Sequence, residues 1–194
     1  MRQRSISRKT AETAIELCLS LDGNGTTKID TGVGFLDHML TLTTQHGLFD
    51  LEVTCNGDLE VDQHHSVEDI GIVLGQAFHE ALGTKEGINR YATVTTPMDE
   101  ALSKLSLDIS GRPNLVYHVG GLKDKVGEFD TELVEEFFRA FVNHANVTLH
   151  INLEYGTNSH HIIESIFKGF GRALDGASRE NPRINGVPST KGSL

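Results

Sequence analysis

The sequence has no tryptophan, two cysteines and 6% aromatic residues. Because aromatic side chains are few, we expect aliphatic packing to dominate the core. Cys18 and Cys55 are too few for a disulfide framework and indicate reduced, buried thiols in a cytoplasmic protein. No apolar stretch is long enough to span a membrane, and the polar residues 1–10 carry no signal-peptide core.

Basic residues are also scarce, with 17 Lys and Arg against 27 Asp and Glu and a net charge of −10. This balance argues against a nucleic-acid surface, but it leaves room for a local basic pocket that binds a phosphorylated metabolite. The length of 194 residues with 38% hydrophobic content fits one domain of ordinary size or two fused small halves.

Two histidine doublets are the most specific feature of the chain. Each opens an apolar run of helical period, and a glutamate follows three residues after the doublet; the two copies read HHSVED (64–69) and HHIIE (160–164). On a helix, residues four apart share a face, so His64 lies with Glu68 and His160 lies with Glu164. Imidazole and carboxylate at this spacing suit a divalent transition metal.

Adjacent residues of a helix point about 100° apart. The second histidines, His65 and His161, should therefore serve a different ion from their neighbours or bridge to another element. One such doublet would be weak evidence for a metal site, but two copies with the same flanking glutamate make a metal-binding protein the favoured interpretation.

The signals for strands, turns and helices occur twice in the same order. Period-two alternation predicts strands at 3–9, 12–21, 28–31, 48–55, 91–96, 101–108, 115–119 and 147–155, and apolar periodicity predicts helices at 35–46, 64–82, 131–143 and 160–178. Laying residues 36–40 over 134–138 also brings His46 onto His144, so the chain contains a duplication.

This duplication predicts an α+β fold made of a repeated strand-helix-strand-helix unit, with a layer of four helices between two β-sheets. We expect a single domain, 1–194, built of repeats near 1–88 and 89–180. A tail at 181–194, rich in Pro, Gly and Ser, follows them and should have little regular structure.

The overlay gives His38 a counterpart in Glu136, so the same helix position carries a possible metal ligand in both halves. His46 lies near a helix end, where it could touch a substrate or gain from the helix dipole. His144 is interpreted as structural, and Asp69 could orient a metal-bound imidazole. Three further histidines have no partners in sequence and are interpreted as surface or core residues: His79, His118 and His150.

Several residues point to a phosphate only weakly when they are taken alone. The segment 189–192 could donate hydrogen bonds to a phosphate, although small polar tails are common. Glu12 follows a polar strand, where a solvated strand face is the simpler interpretation. The scattered residues that could line such a site are Arg90, Arg112, Lys168, Ser189 and Lys191.

Several short motifs, taken in their order along the chain, resemble those of the imidazoleglycerol-phosphate dehydratases of histidine biosynthesis. The stretches that carry the resemblance are RKTAET (8–13), GFLDHML (34–40), QHG (45–47), HHSVED (64–69), DISGRP (108–113), TLHI (148–151), HHIIE (160–164) and PSTKG (188–192). They cover nearly the whole chain. The resemblance implies the family's sandwich with helices between two sheets, a fold like ribosomal protein S5 domain 2.

The resemblance also implies the family's chemistry, which is the loss of water from imidazoleglycerol phosphate to give imidazoleacetol phosphate. The reaction passes through an imidazolate or diazafulvene-like intermediate, with two Mn²⁺ ions per active site and Glu12 as the acid/base group. The metal ligands would be His38, His64, His65, Glu68, Glu136, His160, His161 and Glu164. The substrate pocket would contain Gln45, His46, Arg90, Arg112, Lys168, Ser189 and Lys191.

One position departs from part of the family, because Glu136 stands where some members carry histidine; a carboxylate can still bind manganese. The resemblance further implies a hollow homo-oligomeric shell of 24 subunits in the cytoplasm, with active sites between subunits. It implies no nucleic-acid or membrane partner.

Two other functions stay open from the residues alone. A metal-dependent phosphate-ester hydrolase would release free phosphate, whereas a dehydratase would give a keto product. A metal-storage or metal-sensing protein would bind the ions but would need neither Glu12 nor the basic tail.

Overall fold

The first half of the chain forms one four-stranded sheet and two helices. The computed structural model describes residues 2–194. Its first elements are β1 (Gln3–Lys9), β2 (Thr13–Ser20), β3 (Thr27–Asp30), α1 (Gly34–Gly47), β4 (Asp50–Gly57) and α2 (His64–Ala81). The strands pair in the order β1-β2-β4-β3, with only β3 and β4 parallel. On β2, Ile15, Leu17 and Leu19 are buried as the alternating pattern requires.

The second half forms a sheet with the same strand order and sense. Its elements are β5 (Tyr91–Met98), β6 (Ala101–Asp108), β7 (Asn114–His118), β8 (Lys125–Val126), β9 (Phe129–Asp130), α3 (Leu133–Ala145), β10 (Thr148–Tyr155) and α4 (Ser159–Ser178). The order is β5-β6-β10-β7, with only β10 and β7 parallel. The predicted α+β fold is confirmed. The repeat bounds near 1–88 and 89–180 stay a prediction.

The helices lie between the two sheets. Helix α2 lies against β1, β2 and β4, and helix α4 lies against β5 and β6. Across the middle of the molecule, α2 contacts α3 and α1 contacts α4. None of these helices in residues 2–194 combines the length and hydropathy that a membrane crossing requires.

Phenylalanine fills the centre of the core more than the low aromatic content predicts. Phe138 lies 4.9 Å from Phe167 and 5.0 Å from Phe170 between ring centroids, and Phe141 lies 4.9 Å from Phe170. A spacing of three residues puts the rings of each helix on the facing sides of α3 and α4. Aliphatic side chains make up most of the buried core, so the predicted dominance of aliphatic packing is confirmed.

The two cysteines form no disulfide, as predicted, but both are only partly buried. Helix α1 ends at Gly47, one residue beyond the predicted helix at 35–46, but the next residue adopts the left-handed cap conformation. Leu48 takes the left-handed conformation, with φ 56°, and its N–H caps the helix on the carbonyl of Thr44.

Gly47 and Gly171 instead let α1 and α4 approach closely. A Cβ on Gly171 would lie 2.1 Å from the Thr43 carbonyl oxygen, and one on Gly47 would lie 2.9 Å from the Gly171 oxygen. The Thr43 hydroxyl donates a hydrogen bond of 3.1 Å to the Phe167 carbonyl at the same crossing. This contact brings the start of α4 beside α1.

We expect Gly171→Ala to destabilise the protein, because the new methyl group would force the two helices apart. The free energy of unfolding should fall by about 1–3 kcal/mol, the usual cost of an extra methyl group in a packed core. Gly34→Ala is the matched control, since a Cβ there meets nothing within 4 Å. Thermal unfolding of both variants measures the effect, and equal midpoints would show that the crossing has room for a methyl group.

Candidate metal centre and active site

His38, His160 and Glu164 converge where α1 meets the start of α4. One ligand atom from each of the three lies within 4.8 Å of the other two. His160 Nε2 is 3.2 Å and His38 Nε2 is 3.8 Å from Glu164 Oε2. Asn158 caps α4 by accepting hydrogen bonds from the backbone N–H groups of His160 and His161. This cap fixes the start of the helix that carries the second doublet.

Lys168 adds a positive charge to this cluster, and its Nζ lies 2.6 Å from Glu164 Oε1. Burial alone would raise the pKa of Glu164, but the Lys168 hydrogen bond and charge, aided by His38 and His160, bring it below its usual value. The carboxylate is therefore negative at neutral pH. Three of the predicted metal ligands therefore lie together in a single chain.

His46 lies farther along α1, near the same face of α4. Burial lowers its pKa first, and the positive charges of Lys168 and Arg172 lower it further, against a smaller opposite effect of Glu164. The imidazole is therefore neutral at pH 7. His144, its overlay counterpart, has Nδ1 2.9 Å from the Ala140 carbonyl, which supports the structural role expected for it.

The two histidines of the first doublet contact different carboxylates. His64 Nε2 lies 3.7 Å from Glu68 Oε2, as the helical spacing predicted. His65 places Nδ1 2.9 Å from Asp58 Oδ2 and Nε2 3.7 Å from Glu12 Oε1. The hydrogen bond to Asp58 is the largest cause of the raised pKa of His65. The predicted acid/base residue Glu12 is thus adjacent to a predicted metal ligand.

The second doublet repeats this division. His160 faces Glu164, while His161 places Nδ1 2.7 Å from Glu100 Oε2. This hydrogen bond raises the pKa of His161 and lowers the pKa of Glu100 to about 2, with help from the backbone N–H of Asn158. In both doublets, the first histidine meets a glutamate of its own helix and the second meets a carboxylate outside the helix.

Asp69 does not orient an imidazole, contrary to the sequence interpretation. Its carboxylate accepts hydrogen bonds from Arg8 and from the Thr13 hydroxyl. Asp58 and Glu100 make the histidine contacts instead, and sequence reasoning missed both. Glu100 directly precedes β6, just as Glu12 precedes β2, so a topological overlay of the two hairpins would have found it.

Most of the predicted phosphate-binding residues lie in a separate group around the tail, whereas Lys168 lies beside Glu164 in the metal cluster. Arg90 Nε donates to Asp108 at 2.8 Å, and Arg90 Nη1 donates to the Pro188 carbonyl at 2.9 Å. Arg112 Nη1 donates to the Ser110 carbonyl at 3.1 Å. In residues 2–194, no hydrogen bond or ion pair joins Arg90, Arg112, Ser189 or Lys191 to a histidine of either doublet. The tail at 181–194 lacks strands and helices, as expected, but the hydrogen bond from Arg90 to the Pro188 carbonyl holds it against the rest of the chain.

The donor set fits a divalent transition metal. Two imidazole nitrogens and one charged carboxylate suit Mn²⁺, Fe²⁺ or Zn²⁺ better than Mg²⁺. In the described chain, this trio is the only such group; Glu136 joins no cluster, and neither His65 nor His161 reaches the trio. A single chain therefore supplies three of the ligands that a metal of higher coordination number needs.

The sequence matches a known protein family, and its fold matches solved structures. The family model of imidazoleglycerol-phosphate dehydratase matches residues 31–174. A protein of that name from Oceanobacillus iheyensis is 66% identical over 194 residues, with all of both chains covered. Another, from Pelobacter propionicus, is 60% identical over 193 residues, covering 100% of this chain and 99% of the relative.

Two crystal structures have the same fold. The imidazoleglycerol-phosphate dehydratase of Staphylococcus aureus superposes with a TM-score of 0.84 at 46% identity, covering 92% of this chain and 99% of its own. The Pyrococcus furiosus enzyme, solved in complex with (S)-C348, gives a TM-score of 0.84 at 37% identity, covering 97% and 100%. The chain described here belongs to the imidazoleglycerol-phosphate dehydratase family.

Proposed function

We propose that the protein dehydrates imidazoleglycerol phosphate to imidazoleacetol phosphate, a step of histidine biosynthesis, and that it uses manganese. The observation that carries the proposal is the convergence of His38, His160 and Glu164 in a chain of this family. A storage or sensing protein would need the metal ligands alone, whereas here Glu12 lies 3.7 Å from a predicted ligand.

Glu12 is suited to carry the proton. The reaction expels the hydroxyl of the carbon beside the imidazole ring as water and removes a proton from the next carbon, so that the enol formed becomes the keto product. Bound metal ions would hold the ring and stabilise the negative charge that it develops. The carboxylate of Glu12 accepts no hydrogen bond among the described residues, and its side chain is 51% exposed, so it is free to exchange a proton with a substrate.

Two metal sets per active site are proposed, each with one histidine from each doublet. One set contains His38, His160 and Glu164 and would take His65 of a neighbouring chain. The other contains His64, Glu68 and Glu136 and would take His161 of a neighbour. This arrangement is supported by the absence of both second histidines from the trio within the described chain.

Such shared sites require an assembly, for which we propose the 24-subunit shell of the family. Metal binding would then favour the assembled state, because it binds that state best. We place the protein in the cytoplasm, where its unpaired thiols would stay reduced.

The direct test is an assay with imidazoleglycerol phosphate and Mn²⁺ in which the product is identified. The proposal expects a keto product that keeps its phosphate. Release of inorganic phosphate, with no keto product, would instead favour a phosphate-ester hydrolase. Binding of metal without turnover would favour storage or sensing.

Removal of metal should abolish activity. We expect the chelated, metal-free protein to be inactive, Mn²⁺ to restore it, and Mg²⁺ to restore much less, because imidazole is a poor ligand for Mg²⁺. The measurement is turnover before chelation, after it and after each addition. Full activity in the metal-free protein would contradict the metal requirement.

Lys191→Ala should mainly weaken substrate binding. Loss of a charge-assisted contact to phosphate raises KM by about 10-fold or more, with a smaller change in kcat. Lys104→Ala is the matched control, because Lys104 is exposed on β6 and is no predicted ligand of the substrate. An unchanged KM for Lys191→Ala would remove the tail from the phosphate site.

A further inference from the structure

We infer that Asp58 and Glu100 are positioning residues that aim the second histidine of each doublet at a metal shared with a neighbouring chain. Each carboxylate binds Nδ1 of its histidine, which leaves Nε2 as the ligand atom. The inference rests on the proposed function, because it assumes that His65 and His161 bind metal.

The hydrogen bonds decide which ring nitrogen is available. His65 Nδ1 lies 2.9 Å from Asp58 Oδ2 and 3.2 Å from Oδ1, and His161 Nδ1 lies 2.7 Å from Glu100 Oε2. An ionised carboxylate only accepts hydrogen bonds, so in the neutral imidazole, the form that binds a metal, Nδ1 carries the hydrogen and Nε2 keeps its lone pair. A carboxylate behind a metal-bound imidazole commonly fixes the tautomer and the ring in this way.

The first histidines of the doublets have no such partner. Among the described residues, no carboxylate lies within hydrogen-bonding distance of Nδ1 of His64 or His160. Their nearest carboxylates, Glu68 and Glu164, lie on the Nε2 side and belong to the proposed metal sets. The orienting contact is therefore specific to the second histidine of each doublet.

The two halves reach the same contact from different places. Asp58 directly follows β4, and the residue that directly follows β10 is Gly156, which has no side chain to offer. Glu100 directly precedes β6, and the residue that directly precedes β2 is Glu12. The two carboxylates therefore come from different positions in the two halves. What the doublets share is the hydrogen bond from a carboxylate to Nδ1 of the second histidine.

This difference in the source of the contact explains why only one of the two glutamates that precede β2 and β6 has an uncommitted carboxylate. In the first half, Asp58 holds His65, so Glu12 keeps an uncommitted carboxylate. In the second half, Glu100 is committed at both oxygens, since Oε1 accepts from the backbone N–H of Asn158 at 2.8 Å and Oε2 binds His161. Glu100 thereby ties the ring to the turn that starts α4.

The test compares Asp58→Asn and Glu100→Gln with the parent. Each variant, as the metal-free full chain, is titrated with Mn²⁺, and free Mn²⁺ is followed by electron paramagnetic resonance. Loss of an outer-shell partner typically weakens metal binding by about 10–100-fold. The parent should show two tight sites per chain, and each variant should keep one while the other weakens by that factor.

Glu60→Gln and Glu154→Gln are the matched controls, because each removes an exposed carboxylate near one of the two contacts in sequence: Glu60 lies two residues after Asp58, and Glu154 on β10 lies four residues before Asn158. They should keep both tight sites. Asp58→Ala should weaken its site more than Asp58→Asn, because the amide oxygen can still accept from Nδ1. If the alanine variant fails to fold, the asparagine and glutamine variants decide the question.

The thermal midpoint of the metal-free protein separates positioning from a general structural role. We expect the asparagine and glutamine variants to keep the parent's metal-free midpoint. Two tight sites in both variants would overturn the positioning role and leave the proposed function intact. The same holds if each variant loses Mn²⁺ affinity only in proportion to a lower thermal midpoint of its metal-free form. A parent without tight Mn²⁺ sites would overturn the proposed metal chemistry and the inference with it.

Discussion

Glu12→Gln should lower kcat by about 10²–10⁴-fold, which is the usual contribution of a general acid/base group. The substitution keeps the size of the side chain and its hydrogen-bonding capacity but removes the group that carries the proton. Because the Glu12 carboxylate accepts no hydrogen bond among the described residues, the change should cost little stability. KM and Mn²⁺ affinity should stay close to those of the parent.

Glu52→Gln provides the control, since Glu52 is an exposed glutamate on β4 with no predicted role. Steady-state kinetics with Mn²⁺ in excess measures kcat and KM for both variants. Turnover of Glu12→Gln within a few-fold of the parent would show that another group moves the proton. A large rise in KM with unchanged kcat would make Glu12 a binding residue instead.

Local spacing was enough to predict much of the fold. The alternating residues of β2 and the apolar periods of the helices are short-range patterns, so they place the elements within a few residues of their observed ends. The pairs His64–Glu68 and His160–Glu164 follow from the helical repeat alone. The two-residue strands β8 and β9 were missed because they are too short to show any periodicity.

The sequence could not assign His38 to a doublet. His38 precedes the first doublet in the chain, yet the structure places it with His160 of the second. That choice depends on the close approach of α1 and α4, which Gly47 and Gly171 permit across 124 residues of chain. Such a long-range contact leaves no local pattern in the sequence.

The contacts of Asp58 and Glu100 were hidden for a similar reason. Asp69 lies four residues after His65, the spacing at which helical side chains meet, but Arg8 and Thr13 of the adjacent strands bind its carboxylate. Asp58 reaches His65 from the preceding loop, and Glu100 reaches His161 from a hairpin 61 residues away. Asp69 therefore binds residues from other elements and not the histidine four residues before it.

Two inactive variants should restore activity to each other if the sites lie between subunits. His65→Ala damages the first doublet and His161→Ala damages the second, so each variant alone should lose nearly all activity. In a mixed assembly, a site can take its first doublet from a His161→Ala chain and its second doublet from a His65→Ala chain. Random mixing of equal amounts would leave about a quarter of the sites intact in such a heterologous arrangement.

The experiment dissociates both variants by chelation, mixes them, returns Mn²⁺ and follows particle mass by light scattering together with turnover. Activity near a quarter of the parent's is expected once the mixture has assembled. Mixing either variant with the double variant, His65→Ala with His161→Ala, should give none, because every site then lacks the same histidine. A mixture that reaches the parent's mass without regaining activity would place each metal set inside one subunit, and His65 and His161 would then need another role.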